Sequence, residues 1–242
     1  MTDGAGRVNT ALQAAWRCTG TMLDDSTFLT AGQWTYGAEA VSLWFDEDVD
    51  QLTWADFGFF SDAQVNADAW STTALSHPDY DDSAFYLHDF GVVDDVVPNP
   101  GTTFEAYGEL PELGYWDEQL ATRKRDRDSY TTVGYGLQRS LPDQGAVTLT
   151  EALWVRLKAH GELLGNRQFD GGKTNDAYVV LTNNANTGGT CSGDSGGPTF
   201  IEDTTTVVAV TSFGVNTTCT GTGGVYRIDT VDDLAWISSF VG

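Results

Sequence analysis

Gly189-Thr190-Cys191-Ser192-Gly193-Asp194-Ser195-Gly196-Gly197-Pro198 is the stretch on which the reading of this chain turns. A serine flanked by glycines and preceded by an aspartate is the local arrangement an acyl-transfer nucleophile needs. Glycines let the backbone turn sharply enough for neighbouring amide N–H groups to point at a developing oxyanion. In this stretch Gly193 and Ser195 would supply the two N–H groups, and Ser195 Oγ would make the attack.

Residues 193–198 read Gly-Asp-Ser-Gly-Gly-Pro, and this resembles the nucleophile motif of the chymotrypsin/trypsin family of serine peptidases. The resemblance extends over nearly the whole chain. Ser212-Phe213-Gly214 is similar to the strand that lines the substrate backbone beside the specificity pocket, and Gly224-Val225-Tyr226 to the opposite pocket wall. Gly189 would sit at the pocket floor; with no carboxylate there, a neutral or apolar group is the expected guest. The resemblance implies a Cys191–Cys219 bridge. Asp89, opening the apolar run Asp89-Phe90-Gly91-Val92-Val93, falls where the family keeps the aspartate that orients its base.

Upstream, Cys18-Thr19-Gly20-Thr21-Met22-Leu23 and Thr27-Phe28-Leu29-Thr30-Ala31-Gly32 resemble the paired strands leading to the base histidine. The family expects His and then Cys next; this chain has Gln33 and Trp34. A carboxamide cannot take a proton from a serine near neutral pH, although Gln33 can accept a hydrogen bond from Ser195 Oγ or donate one to Asp89. The histidines offer no replacement: His88 adjoins Asp89 on the opposite face of the expected strand, His77 resembles a family surface loop, and His160 has no motif around it. Trp34 replaces the half-cystine that would pair with Cys18, and its indole can partly fill the cleft or stack on a flat ligand.

The rest of the chain alternates short apolar segments with Gly, Asp, Asn and Pro. Strands are expected at 11–23, 27–31, 40–45, 89–93, 130–135, 147–157, 177–182, 198–201, 206–213 and 224–228, a spacing that reads as antiparallel barrels or sandwiches. A terminal helix follows, capped by Thr230 with Asp233 three residues on, and with Leu234, Ile237 and Phe240 on one face. With the resemblance, the expected fold is all-β: two antiparallel six-stranded β-barrels and a C-terminal α-helix. The expected division is 1–118 for the barrel carrying Gln33 and Asp89, and 119–242 for the barrel carrying Ser195 and the pocket. It falls in a loop-rich stretch, 98–128, that ends in the basic run Arg123-Lys124-Arg125-Asp126-Arg127, read as a solvated linker.

Composition bounds the partners. A net charge of −23 repels phosphates and argues against nucleic acid. No run of eighteen apolar residues is present to span a membrane. No cofactor or metal motif stands out. Asp46-Glu47-Asp48-Val49-Asp50 has Gln51 where a calcium loop needs glycine and Phe57 where it needs glutamate, so it reads as a charged loop. The ligand expected is a peptide or small molecule in the cleft between the barrels. By the resemblance, an N-terminal amine pairs with Asp194 to organise the oxyanion site, and Met1 is placed to supply it. With Met1 as the start and Cys18 unpaired, a cytoplasmic protein is expected; the alternative is a secreted one whose signal and activation segments have been removed.

Three functions are compatible with these residues. The first is a serine-protease homologue without a working base that binds in its cleft. The second is a catalyst of cyclisation, acyl transfer or ester chemistry on a small molecule, using Ser195, Gln33 and the oxyanion N–H pair. The third is a slow serine endopeptidase.

Overall fold

The computed structural model describes residues 17–143, 146–151, 153–166, 177–184, 186–214, 216 and 218–242. In chain order the N-terminal half contains β1 (Thr21–Met22), β2 (Phe28–Thr30), α1 (Gly32–Thr35), β3 (Val41–Leu43), α2 (Trp54–Phe57) and α3 (Phe60–Asn66). It continues with β4 (Ala69–Ser71), β5 (Thr73–Ser76), β6 (Gly91–Asp94) and β7 (Val97–Pro98). After α4 (Tyr115–Ala121) come β8 (Ser129–Gly134), β9 (Arg139–Asp143), β10 (Ala146–Glu151), β11 (Leu157–Gly165) and β12 (Tyr178–Asn183). The chain ends with β13 (Pro198–Ile201), β14 (Val207–Gly214), β15 (Gly221–Arg227) and α5 (Val231–Ser238). The fold is all-β with a C-terminal helix, as the sequence implies. No helix among the described residues is long and apolar enough to cross a membrane.

The C-terminal half closes into a six-stranded barrel in the order β11-β12-β15-β14-β13-β8. Strand β8 alternates cleanly, with Tyr130, Thr132 and Gly134 buried, as a sheet with one covered face requires. Strand β12 is buried on both faces. Val179 and Leu181 join Trp116 and Tyr130 in one cluster, while Tyr178 and Val180 pack with Phe213 in another. Its alternation is therefore hidden in the sequence as a continuous apolar run.

The N-terminal half is made of a four-stranded sheet, β1-β2-β6-β5, and a three-stranded sheet, β3-β4-β7. They enclose one core: Met22, Phe28 and Val93 from the first meet Leu43 and Ala69 from the second. The chain passes from one sheet to the other at Ser71, whose hydroxyl donates to the Asp94 carbonyl while accepting from Thr73 N–H at 2.9 Å. A fourth cluster crosses between the halves. Leu23, Leu29 and Phe90 pack with Val207, Val210, Tyr226, Ile228 and Ile237. Full burial of each such side chain contributes about 1.5–3 kcal/mol, so the two halves share a core at the level of the site.

Several expectations shift. The part of the expected strand 11–23 that is described holds only β1; residues 11–16 lie outside the described residues. The expected strand 147–157 is broken, because residues 153–156 cross to the N-terminal half. There Val155 bridges to Asp48, and Arg156 N–H donates to the Glu47 carbonyl at 2.7 Å. The division at 118/119 falls inside α4. Trp116 of that helix is fully buried in the C-terminal core, its indole N–H donating to the Val208 carbonyl at 2.8 Å. In the basic run, Arg127 serves the helix end: its guanidinium donates to the carbonyls of Leu120, Thr122 and Leu163, satisfying acceptors the helix leaves open.

Candidate active site

The N-terminal contribution begins where β2 runs into the single turn α1, which carries Gln33. The backbone N–H of Gln33 donates to Asp89 Oδ1 at 3.0 Å, and Ser212 Oγ donates to Asp89 Oδ2 at 2.5 Å. Asp89 is fully buried. Burial pushes its carboxyl up to about 6, against the opposing pull of the bonds from Ser212, Gln33 and Gly32. The side chain of Gln33 points elsewhere: its Nε2 donates to the main-chain carbonyl of Ser212 at 3.3 Å. Gln33 thus meets Asp89 through its backbone and the pocket strand β14 through its amide. Among the described residues, Ser195 Oγ has no hydrogen-bond partner. Trp34 follows in the same turn, half-buried.

The C-terminal contribution is the turn between Cys191 and Pro198. Asp194 N–H donates to the Cys191 carbonyl at 3.1 Å, Gly197 N–H to the Asp194 carbonyl at 2.8 Å, and Gly196 N–H to the Thr211 carbonyl at 2.7 Å. Two glycines are needed by position. Gly193 has φ +100°, a value L side chains rarely adopt. Gly196 has φ +82°, and a Cβ there would stand 2.2 Å from Thr30 Oγ1. With the backbone so turned, the N–H groups of Gly193 and Ser195 have no protein acceptor among the described residues. Such a pair can receive an oxyanion.

Thr19 holds this turn from the other half of the molecule. Its N–H donates to the Ser195 carbonyl at 3.0 Å, and its hydroxyl donates to the Gly193 carbonyl at 3.0 Å. The same hydroxyl accepts from Tyr135 N–H at 3.2 Å. Asp194 lies beneath, accepting N–H bonds from Gly136 and Cys191, each at 2.8 Å. Burial pushes its carboxyl up to about 6 against those two bonds. No cation pairs with it among the described residues, and Met1, its expected partner, lies outside them.

The two segments expected as pocket walls lie side by side. Phe213 and Gly224 are cross-strand partners in β14 and β15, as are Gly214 and Gly223, and Cys191 is bonded to Cys219. A loop of this size closed by a disulfide is stabilised by about 3–4 kcal/mol if the effect is unfolded-state entropy. Cys18 is left as a free thiol, its Sγ 3.7 Å from Thr30 Oγ1. Under Gly189 stands Asn183, a buried amide whose Nδ2 donates to the Thr190 carbonyl at 2.7 Å. A Cβ on Gly189 would lie 2.2 Å from Asn183 Cγ. The side chain set beneath Gly189 is therefore a neutral amide.

The histidines are engaged away from Ser195. His88 Nδ1 lies 3.2 Å from Tyr226 Oη, His77 Nδ1 accepts from Asp79 N–H at 3.2 Å, and His160 Nδ1 pairs with Glu202 at 3.0 Å. His88 is turned by its own backbone, at φ +51° just before β6, rather than by alternation along a strand. Sequence reading missed Thr19 and Asn183, because neither carries a motif: each acts through contacts with residues far along the chain or hidden under a glycine.

No curated protein matches the chain. A solved structure of HL collagenase is similar in fold, with 19% identity over 91% of this chain and 84% of that one and a TM-score of 0.61. The sequence model of the Trypsin family matches residues 2–237. With the six-stranded barrel, the nucleophile turn and the buried Asp89 in place, that match over almost the full length makes the chain a member of the trypsin family.

Proposed function

We propose that this trypsin-family chain is a protease homologue that keeps Ser195, Asp89 and the Gly193/Ser195 N–H pair but has no base. It binds a peptide or small-molecule ligand in the cleft between its halves instead of cleaving peptides at protease rates. The observation that carries this reading is position 33. A carboxamide has no nitrogen that titrates near neutral pH, and the Gln33 amide already donates to the Ser212 carbonyl at 3.3 Å. The engagement of His77, His88 and His160 with other partners supports the same reading.

Two measurements test it. The wild-type protein is expected to leave a fluorophosphonate probe unreacted and to hydrolyse a peptide panel no faster than Ser195→Ala. Gln33→His combined with Trp34→Cys, which returns a base and a partner for Cys18, is expected to gain peptidase activity. In a related mechanism loss of the histidine costs roughly 10⁶-fold in turnover, so the gain should be plain. Rapid peptide cleavage by the wild type that disappears in Ser195→Ala would overturn the reading.

A further inference from the structure

Next to Asp89 in the chain, at His88, three side chains with no part in the chemistry above converge. His77 follows β5, His88 immediately precedes Asp89, and Asp233 sits in the first turn of α5. One ligating atom from each lies within 4.8 Å of the other two. His77 and Asp233 are buried, Asp233 to 1% exposure. The surroundings are aromatic: the Phe90 ring stacks on Tyr226, and Trp236 stands edge-on to both Phe90 and His77.

Asp233 is the unusual member. As the third residue of α5 it was expected to complete a capping box. Only the Thr230 half forms, with Thr230 Oγ1 accepting from Asp233 N–H at 3.3 Å. The carboxylate turns inward: Oδ2 accepts from Tyr226 Oη at 3.1 Å, and Oδ1 is buried without a hydrogen-bond partner. His88 Nδ1 stands 3.8 Å from that orphaned oxygen. The Arg227 guanidinium, next to Tyr226 in β15, is taken by Asp117 and Asp229. A buried carboxylate oxygen facing imidazoles with no donor of its own is short of a cation.

We propose that His77, His88 and Asp233 bind one divalent cation of the zinc class. Two imidazole nitrogens and one carboxylate oxygen suit zinc and its first-row neighbours, not calcium or magnesium, which take oxygen sets. Tyr226 Oη then holds the second carboxylate oxygen as an outer partner, and water takes the fourth position from the half-exposed side of His88. Tetrahedral ligands at the zinc–nitrogen distance stand about 3.4 Å apart, so the group must contract. His88, whose ring lies stacked on His77 at 4.8 Å and whose side chain is 38% exposed, would turn to close it, giving up its 3.2 Å contact with Tyr226 Oη. His77 would ligate through Nε2, moving its proton to Nδ1 at the loss of the 3.2 Å bond from Asp79 N–H. The ion would staple the terminal helix to two loops of the N-terminal half, one of them continuous with Asp89.

The test is equilibrium dialysis of the chelator-treated full chain against zinc, with metal content measured per chain. One zinc is expected for the wild type, and equally for Cys18→Ser and His160→Gln, which lie outside the group. Tyr226→Phe should weaken binding about 10- to 100-fold, as loss of an outer partner does, and His88→Gln and Asp233→Asn by more. His88→Gln alters a half-exposed side chain, so it remains decisive if Asp233→Asn does not fold. No zinc taken up by the wild type, undiminished uptake by His88→Gln, or displacement of zinc by an equal concentration of calcium would each overturn the proposal.

Discussion

Replacing Asp89 by asparagine isolates the electrostatic cost of burying this carboxylate. In the wild type the carboxyl is raised to about 6 by burial, above its unfolded value. The folded state therefore binds more protons than the unfolded state between these values, and the stability this carboxyl contributes is lost as pH rises through 6. At pH 5 the contribution is about 1.4 kcal/mol and by pH 8 it is close to nil. Asparagine keeps one oxygen to accept from Gln33 N–H, and its NH2 can donate to Ser212 Oγ, which reverses its role. The variant carries no titration at this position. Subtracting its unfolding free energy from that of the wild type cancels the background repulsion of a chain with net charge −23. Urea denaturation at pH 5 and pH 8, both above the pI near 4.1, is expected to show the wild type losing about 1.4 kcal/mol relative to Asp89→Asn. A difference that stays flat, or grows with pH, would refute the burial argument.

Other substitutions report on the frame. Gly196→Ala places a Cβ 2.2 Å from Thr30 Oγ1 at φ +82° and should cost about 3 kcal/mol or more, read from the denaturation midpoint. Thr19→Val strips the hydroxyl that serves Gly193 and Tyr135; two backbone groups lose a partner, so about 2–4 kcal/mol is expected in the same assay. Arg227→Met leaves the fully buried Asp229 without its 2.6 Å partner and should cost about 3–5 kcal/mol at neutral pH.

Where neighbours in sequence were also neighbours in space, the chain could be read directly. The nucleophile turn is six consecutive residues, and its two pocket walls are short segments with glycines at fixed places. Strand 198–201 was read to the residue, its start marked by Pro198. The expectation failed where a contact from outside decided the outcome. Residues 69–76 carry no strong alternation, yet Ala69 and Ser71 are buried by pairing with β3. Residues 153–156 leave their strand to reach Asp48 and Glu47. Trp116 lies in what composition marks as a linker, and only the barrel interior that receives it explains its place. The histidines and Asp233 were each weighed alone, since positions 77, 88 and 233 share no spacing a motif could use.

The twin grip of Thr19 on the carbonyls of Ser195 and Gly193 has a consequence for how the molecule is made. The two ends of that grip are 174 residues apart, so the Ser195 turn cannot be fixed in place until most of the chain has been synthesised. Loop closure over such a span is slow and late. A nascent chain halted before Gly193 would carry Thr19 without the two carbonyls it holds. The C-terminal barrel produced by itself would carry Ser195 without the two bonds from Thr19 that fix its turn. Mixing the two fragments should restore that grip only as fast as the halves find one another.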